Sequence, residues 1–213
     1  MSRFNPLTWL WPNSSSALTL SPDSTANATV FAEIPPLPTI DTCFAYGSNM
    51  SADQMNERKV PWTNRYAAAM RDYRLAFNSD GGTKAAANIM SHPGENVYGI
   101  VYEGCNSQSF ENLDWYEEVE KGRYVRVEAD ILMPLTEDRL WRYGLDGEFL
   151  NGNKLGKKDP VKSTRAVVYI GAPPFIREGL LPTREYLRRI LKGKDYLPEE
   201  YFEKLQQTPV QLL

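Results

Sequence analysis

The chain has 213 residues, 42% of them hydrophobic and 24% charged, with a formal net charge of -3. That suits a globular protein with one sizeable core and speaks against a dominant nucleic-acid surface, which needs a basic stripe. Cys43 and Cys105 offer no disulfide framework and no Cys-based zinc site, and the single His92 speaks against a His-rich metal site or a Ser-His-Asp triad. If the chain is an enzyme, its acid-base work falls to a carboxylate or a tyrosine, with no metal site expected.

Residues 1–40 are rich in Ser, Thr, Asn and Pro and end in "EIPPLPTI". They read as an extended or flexible tail before a single domain over 41–213. Trp9, Trp11 and Phe31 have two readings there. Either they dock on the domain or on a partner subunit of a homodimer, or they are incidental aromatics in a loose segment. The start is a poor signal peptide, because it has one Arg and its apolar run is cut by Pro12. Asn13-Ser14-Ser15 and Asn27-Ala28-Thr29 fit the glycosylation pattern, which is common by chance. No apolar run reaches the roughly 18 residues of a membrane span. The expectation is a cytoplasmic protein with neither membrane nor nucleic acid as partner.

In chain order, residues 43–46 predict a strand and 52–58 a short helix. Residues 66–78 read as extended, since Tyr73, Leu75 and Phe77 alternate with Arg74 and Ala76. "AAANIMS" and "NVYGIVYE" predict two strands around a turn at Pro93-Gly94. Residues 107–121 predict a helix ending at Gly122. "RYVRVEADILM", "RLWRYGL" and "TRAVVYIG" predict three more strands, with 145–162 as a loop between the last two. Two helices, 183–192 and 198–207, close the chain. This pattern predicts an α+β fold: a mixed, mostly antiparallel sheet or small barrel with flanking helices.

Two places carry candidate chemistry. The first is "CFAYGSNMSADQM" (43–55). Gly47 permits a sharp turn after Tyr46, and Ser51-Ala-Asp-Gln54 fits a capping box in which Gln54 reaches back. Amides around Gly47–Met50 would then crowd a helix N-terminus, an environment suited to a carboxylate or developing oxyanion. The plain alternative is a turn serving topology alone.

The second is the helix "SQSFENLDWYEEVEKG". Advancing about 100° per residue from Phe110, Leu113, Tyr116, Val119 and Trp115 form a broad apolar arc. Asp114, Glu118 and Glu111 fall on the opposite, solvent side. Glu117 falls near 340°, between Leu113 and Phe110, an acid among apolar neighbours. Loss of hydration there would raise its pKa toward a proton-shuttling range. The alternative is a salt bridge with Arg123 or Arg126. Glu120 also lies in the arc, but in the fraying last turn.

Taken together, "FAYGSNM", "HPGENVYGIVYE" and "LDWYEEVEKGRY" resemble the gamma-glutamylcyclotransferase family, over about Cys43 to Leu205. The resemblance implies that Tyr46, Gly47, Ser48 and Asn49 form a substrate loop. It implies that Glu117 is the essential glutamate, and that Tyr124 and Tyr186 complete the pocket, with Tyr169 a weaker third tyrosine. It also implies a cofactor-free reaction on a small molecule with a γ-glutamyl or similar acyl group, in which the α-amine attacks the side-chain amide to give 5-oxoproline. The chain departs from the family in having Glu118 where Gly often follows the glutamate. The tail, the 145–162 insertion and "EGLLPTREYLRRILKG" look more like fungal members of specialised-metabolite pathways, which brings a glutathione-derived adduct into view. Two alternatives stay open: a biosynthetic enzyme using the same fold and Glu for another cyclisation or proton transfer, and a non-catalytic binding protein.

Overall fold

The structure is a computed structural model that describes residues 36–82, 85–147, 149–150, 153–154 and 156–211. The expectations for residues 1–35, the greater part of the predicted tail, lie outside the described residues.

Five strands close into a barrel in the order β1 (Thr42–Ala45), β3 (Ala85–Glu103), β2 (Asn64–Asp80), β4 (Tyr124–Pro134), β7 (Val161–Gly171). Every neighbouring pair is antiparallel except β1 and β7, which run parallel at Cys43↔Val167. The fold is therefore the α+β small barrel that the sequence predicts. Burial along β4 alternates for most of its length, as a strand with one face on a core requires. Phe44, Ile89, Ile100, Tyr102, Ile131 and Met133 are fully buried in that core.

Among the described residues, four α-helices flank the barrel: α1 (Ala52–Glu57), α2 (Ser107–Tyr116), α3 (Arg184–Leu191) and α4 (Glu199–Gln206). Helix α2 starts in a capping box, with Asn106 accepting from the Ser109 amide and Ser109 accepting from the Asn106 amide. It buries Phe110 and Leu113, each burial stabilising by roughly 1.5–3 kcal/mol.

The sequence expectation fails in several places. Helix α2 stops at Tyr116, not at residue 121. The Val119 amide reaches the Asp114 carbonyl and the Glu118 amide the Trp115 carbonyl, a helix-ending motif that needs a left-handed residue at 118. Glu118 takes that conformation, with φ of 53°.

At Pro93-Gly94 the chain does not turn back. Residues 85–103 form one strand, and His92–Glu95 bulge out opposite Asp72, whose carboxylate accepts the Gly94 amide. "RLWRYGL" is not a strand. The amides of Arg142, Tyr143 and Gly144 all donate to the buried Asp159 carboxylate, so a side chain replaces a neighbouring strand as their partner. Within the predicted loop 145–162, β5 (Phe149–Leu150) and β6 (Asn153–Lys154) pair as a short ladder.

Candidate active site

The end of β1, the turn after it and the end of α2 meet around a cavity of about 250 Å³. Tyr46, Gly47, Ser48, Asn49, Glu117, Tyr124, Tyr169 and Tyr186 all line it, so every predicted site residue is brought to one place. Arg58, Ala87, Arg123 and Cys43 line it as well.

The turn is a 3-10 helix, Ser48–Met50, followed by α1 with Ser51 as its N-cap. The Met50 and Ser51 amides close onto the Gly47 and Ser48 carbonyls, so they are not free donors. The Gly47 and Ser48 amides have no acceptor among the described residues. Gln54 does not reach back to the Ser51 amide. Its Nε2 donates to Ser48 Oγ at 2.6 Å and Asn49 Oδ1 at 3.0 Å, while its Oε1 accepts from Arg189 of α3. The cap residue predicted from sequence thus braces the turn instead.

Gly47 is needed for a reason other than its torsion angles, since its φ is -113°. A Cβ there would lie 3.1 Å from the Ala87 Cβ and 3.4 Å from the Tyr186 hydroxyl.

Glu117, the C-cap of α2, has a side chain only 15% exposed. Its Oε1 accepts from Arg58 Nη1 at 2.7 Å and from Asn49 Nδ2 at 3.1 Å. Its Oε2 has no hydrogen-bond donor among the described residues. The expected surroundings were apolar, with Arg123 or Arg126 as possible ion partners. The partner is Arg58 instead, because Arg123 is held by Glu118 and Arg126 by Asp114. The expected solvent face is also corrected. Asp114 is largely buried between Arg126 and the Tyr169 hydroxyl, whereas Trp115 and Tyr116 are exposed. Glu120 is exposed.

The tyrosines are fixed by the main chain. Between Ala76↔Asn88 and Ser79↔Ala86, β2 holds one residue more than β3, a β-bulge opposite Ala87. This takes the Ala87 peptide out of the ladder. Its amide donates to the Tyr186 hydroxyl at 2.9 Å, and its carbonyl accepts from the Tyr124 hydroxyl at 2.7 Å. Tyr186 is placed by the Thr183 cap of α3, whose Oγ1 accepts the Tyr186 amide. Tyr46 donates to the Tyr169 carbonyl at 2.5 Å. Burial pushes the pKa of Tyr46, Tyr124 and Tyr186 above the usual phenol value, so they are neutral hydrogen-bonding groups at ordinary pH. Burial likewise keeps Cys43 a thiol.

Among the described residues, no group of three or more His, Cys, Asp or Glu side chains is placed to hold a metal ion, and no helix is long and apolar enough to cross a membrane. What remains is a carboxylate with one oxygen pinned and one without a donor among the described residues, in a cavity that Gly47, Ser48 and neutral phenols also line.

Comparison with known proteins identifies the family. The family described as gamma-glutamyl cyclotransferase, AIG2-like, matches residues 43–164. The gamma-glutamylcyclotransferase of Bos taurus is 32% identical over 76% of this chain and 75% of its own. The one from Homo sapiens is 29% identical over 76% of each. A solved gamma-glutamyl cyclotransferase shares the fold with a TM-score of 0.60, at 23% identity, over 81% of this chain and 90% of its own. The chain belongs to the gamma-glutamyl cyclotransferase, AIG2-like enzyme family.

Sequence reasoning missed Arg58 and Ala87. Arg58 is one of 24 Lys and Arg residues and nothing in its neighbourhood marks it. Ala87 acts through its backbone, which leaves no mark on residue type.

Proposed function

We propose that this protein cyclises the γ-glutamyl group of a small-molecule amide, releasing 5-oxoproline and a free amine, with Glu117 as the proton carrier. The observation that carries this reading is the half-engaged Glu117 carboxylate. Arg58 and Asn49 orient it through Oε1 and leave Oε2 open at the cavity.

The α-amine of the substrate attacks its own side-chain carbonyl carbon. A ring C–N bond forms and the bond to the leaving nitrogen breaks. Two protons leave the α-ammonium and two arrive at the departing amine, so charge is conserved. Glu117 carries one of them from the attacking to the leaving nitrogen, and the other exchanges with solvent. The groups are tethered, so the site's main task is to fold the substrate into attack geometry. The unpaired amides of Gly47 and Ser48 receive the carbonyl oxygen as it becomes negative. Tyr124 and Tyr186 border the glutamyl head, while Asn49 serves chiefly to hold Glu117.

The sequence likeness of residues 145–162 and 178–193 to specialised-metabolite members extends the substrate class to glutathione-derived adducts. The test is a mass-spectrometric search for 5-oxoproline across a panel of γ-glutamyl amides, glutathione and a glutathione adduct included. Release by the native protein and none by Glu117→Gln supports the reading. Equal release by both rejects the role of Glu117, and no release from any member rejects the reaction.

A further inference from the structure

We propose that Trp115 and Tyr116 form an aromatic shelf at the mouth of the cavity, which receives a flat apolar group carried on the leaving amine. This rests on the reaction proposed above and names the kind of amine it favours. For Glu117 to return a proton, the leaving nitrogen must come within about 3 Å of its carboxylate. The body of the amine therefore begins beside Glu117. The cavity of about 250 Å³ is smaller than the roughly 300–1,000 Å³ that encloses a drug-sized ligand. It takes a glutamyl head, and a larger amine extends past the rim.

Tyr116 belongs to that rim, since it lines the cavity and is 39% exposed. Trp115, next to it, is 74% exposed and meets Tyr116 edge to face, with ring centroids 4.7 Å apart at 89°. The Arg58 guanidinium that holds Glu117 also sits over the Tyr116 ring, 4.6 Å from its centroid. A continuous row thus runs from Glu117 through Arg58 and Tyr116 to Trp115. A single exposed aromatic needs no explanation. Two in contact, continuous with the cavity, offer a surface that a planar group covers well. The Arg58 charge is already paired with Glu117, which favours an apolar occupant over an anionic one.

The experiment measures kcat/KM for γ-glutamyl-phenylalanine and γ-glutamyl-tryptophan against γ-glutamyl-alanine, with native protein, Trp115→Ala and Trp115→Phe. The native protein should favour the aromatic substrates by about five- to tenfold. Trp115→Ala should remove that preference, chiefly by raising KM for the aromatic substrates, and Trp115→Phe should keep most of it. Turnover without an aromatic preference, or equal losses on all substrates, overturns the shelf and leaves the proposed reaction standing. No turnover of any substrate overturns both. Sedimentation in parallel addresses a second copy as occupant. A change of oligomeric state in Trp115→Ala with unchanged selectivity overturns the shelf.

Discussion

Asp114 and Glu117 stand three residues apart at the end of one helix, and each meets an arginine, but they are in different situations. Asp114 is closed: one oxygen binds the buried Arg126 and the other accepts from Tyr169. Glu117 is open: one oxygen takes both donors and the other takes none among the described residues. An arginine partner alone therefore does not distinguish a closed carboxylate from the one proposed to carry the proton. The distinguishing feature is whether an acceptor remains free in a cavity.

The largest test of this contrast exchanges the charge at each position. Glu117→Gln should fold normally and lose about 10²–10⁴ in turnover, measured as 5-oxoproline release. Asp114→Asn should do the reverse. With the Arg126 side chain only 4% exposed, stability should fall by about 3 kcal/mol in urea unfolding, because a buried guanidinium loses its carboxylate partner. If Asp114→Asn is the one that spares stability and abolishes turnover, the two roles have been exchanged.

A smaller effect is expected at Gly47→Ala, where the new methyl crowds Ala87 and Tyr186. A drop of about tenfold in kcat/KM is expected with little change in Tm, since a displaced wall disturbs attack geometry more than folding. At Glu118 the expected effect is near zero. Glu118→Gly should relieve about 1 kcal/mol of left-handed strain and lose an exposed ion pair to Lys121 and a part-buried one to Arg123, together worth about as much. Stability within about 0.5 kcal/mol of native would show that the two offset each other, and Glu118→Gln should keep turnover within about threefold.

Titration tests the turn behind Glu117, since the Tyr102 hydroxyl donates to the Asn49 carbonyl. Burial raises Tyr102 to about 12, above the roughly 10 of an unfolded tyrosine. The unfolded chain then loses its proton first. Tyr102 should leave stability unaffected below about pH 10 and reduce it between about pH 10 and 12. Tyr102→Phe should flatten that decline in pH-dependent unfolding.

Much of this was legible in the residues. The strand end, turn and helix start at 43–55 are local features, and local chemistry fixes them. Alternation over 123–133 gives β4 because one face meets a core, whereas 164–171 gives β7 as a short apolar run whose middle, Ala166–Tyr169, is buried on both faces. Helical periodicity from Phe110 to the C-cap places Glu117 inward, as observed, but its neighbours there are Arg58 and Asn49 rather than apolar side chains. The same periodicity failed for Asp114, Trp115 and Tyr116. It supposes that apolar residues face inward and charged ones outward, whereas here Arg126 draws Asp114 in and the aromatics stay out. Arg58, the Asp159-centred loop at 139–145 and the Ala87 bulge depend on contacts distant in sequence, which no local pattern encodes.

The bulge opposite Ala87 sets a regular ladder against the cavity wall within a single strand pair. Deleting one residue between Ala76 and Ser79 would even out the register, return the Ala87 peptide to its ladder and orphan the Tyr124 and Tyr186 hydroxyls. The shortened hairpin would be the more regular one, and the cavity wall would be lost. Under the proposed reaction, insertions and deletions in this stretch of β2 are constrained by the site, whereas the barrel alone would tolerate them.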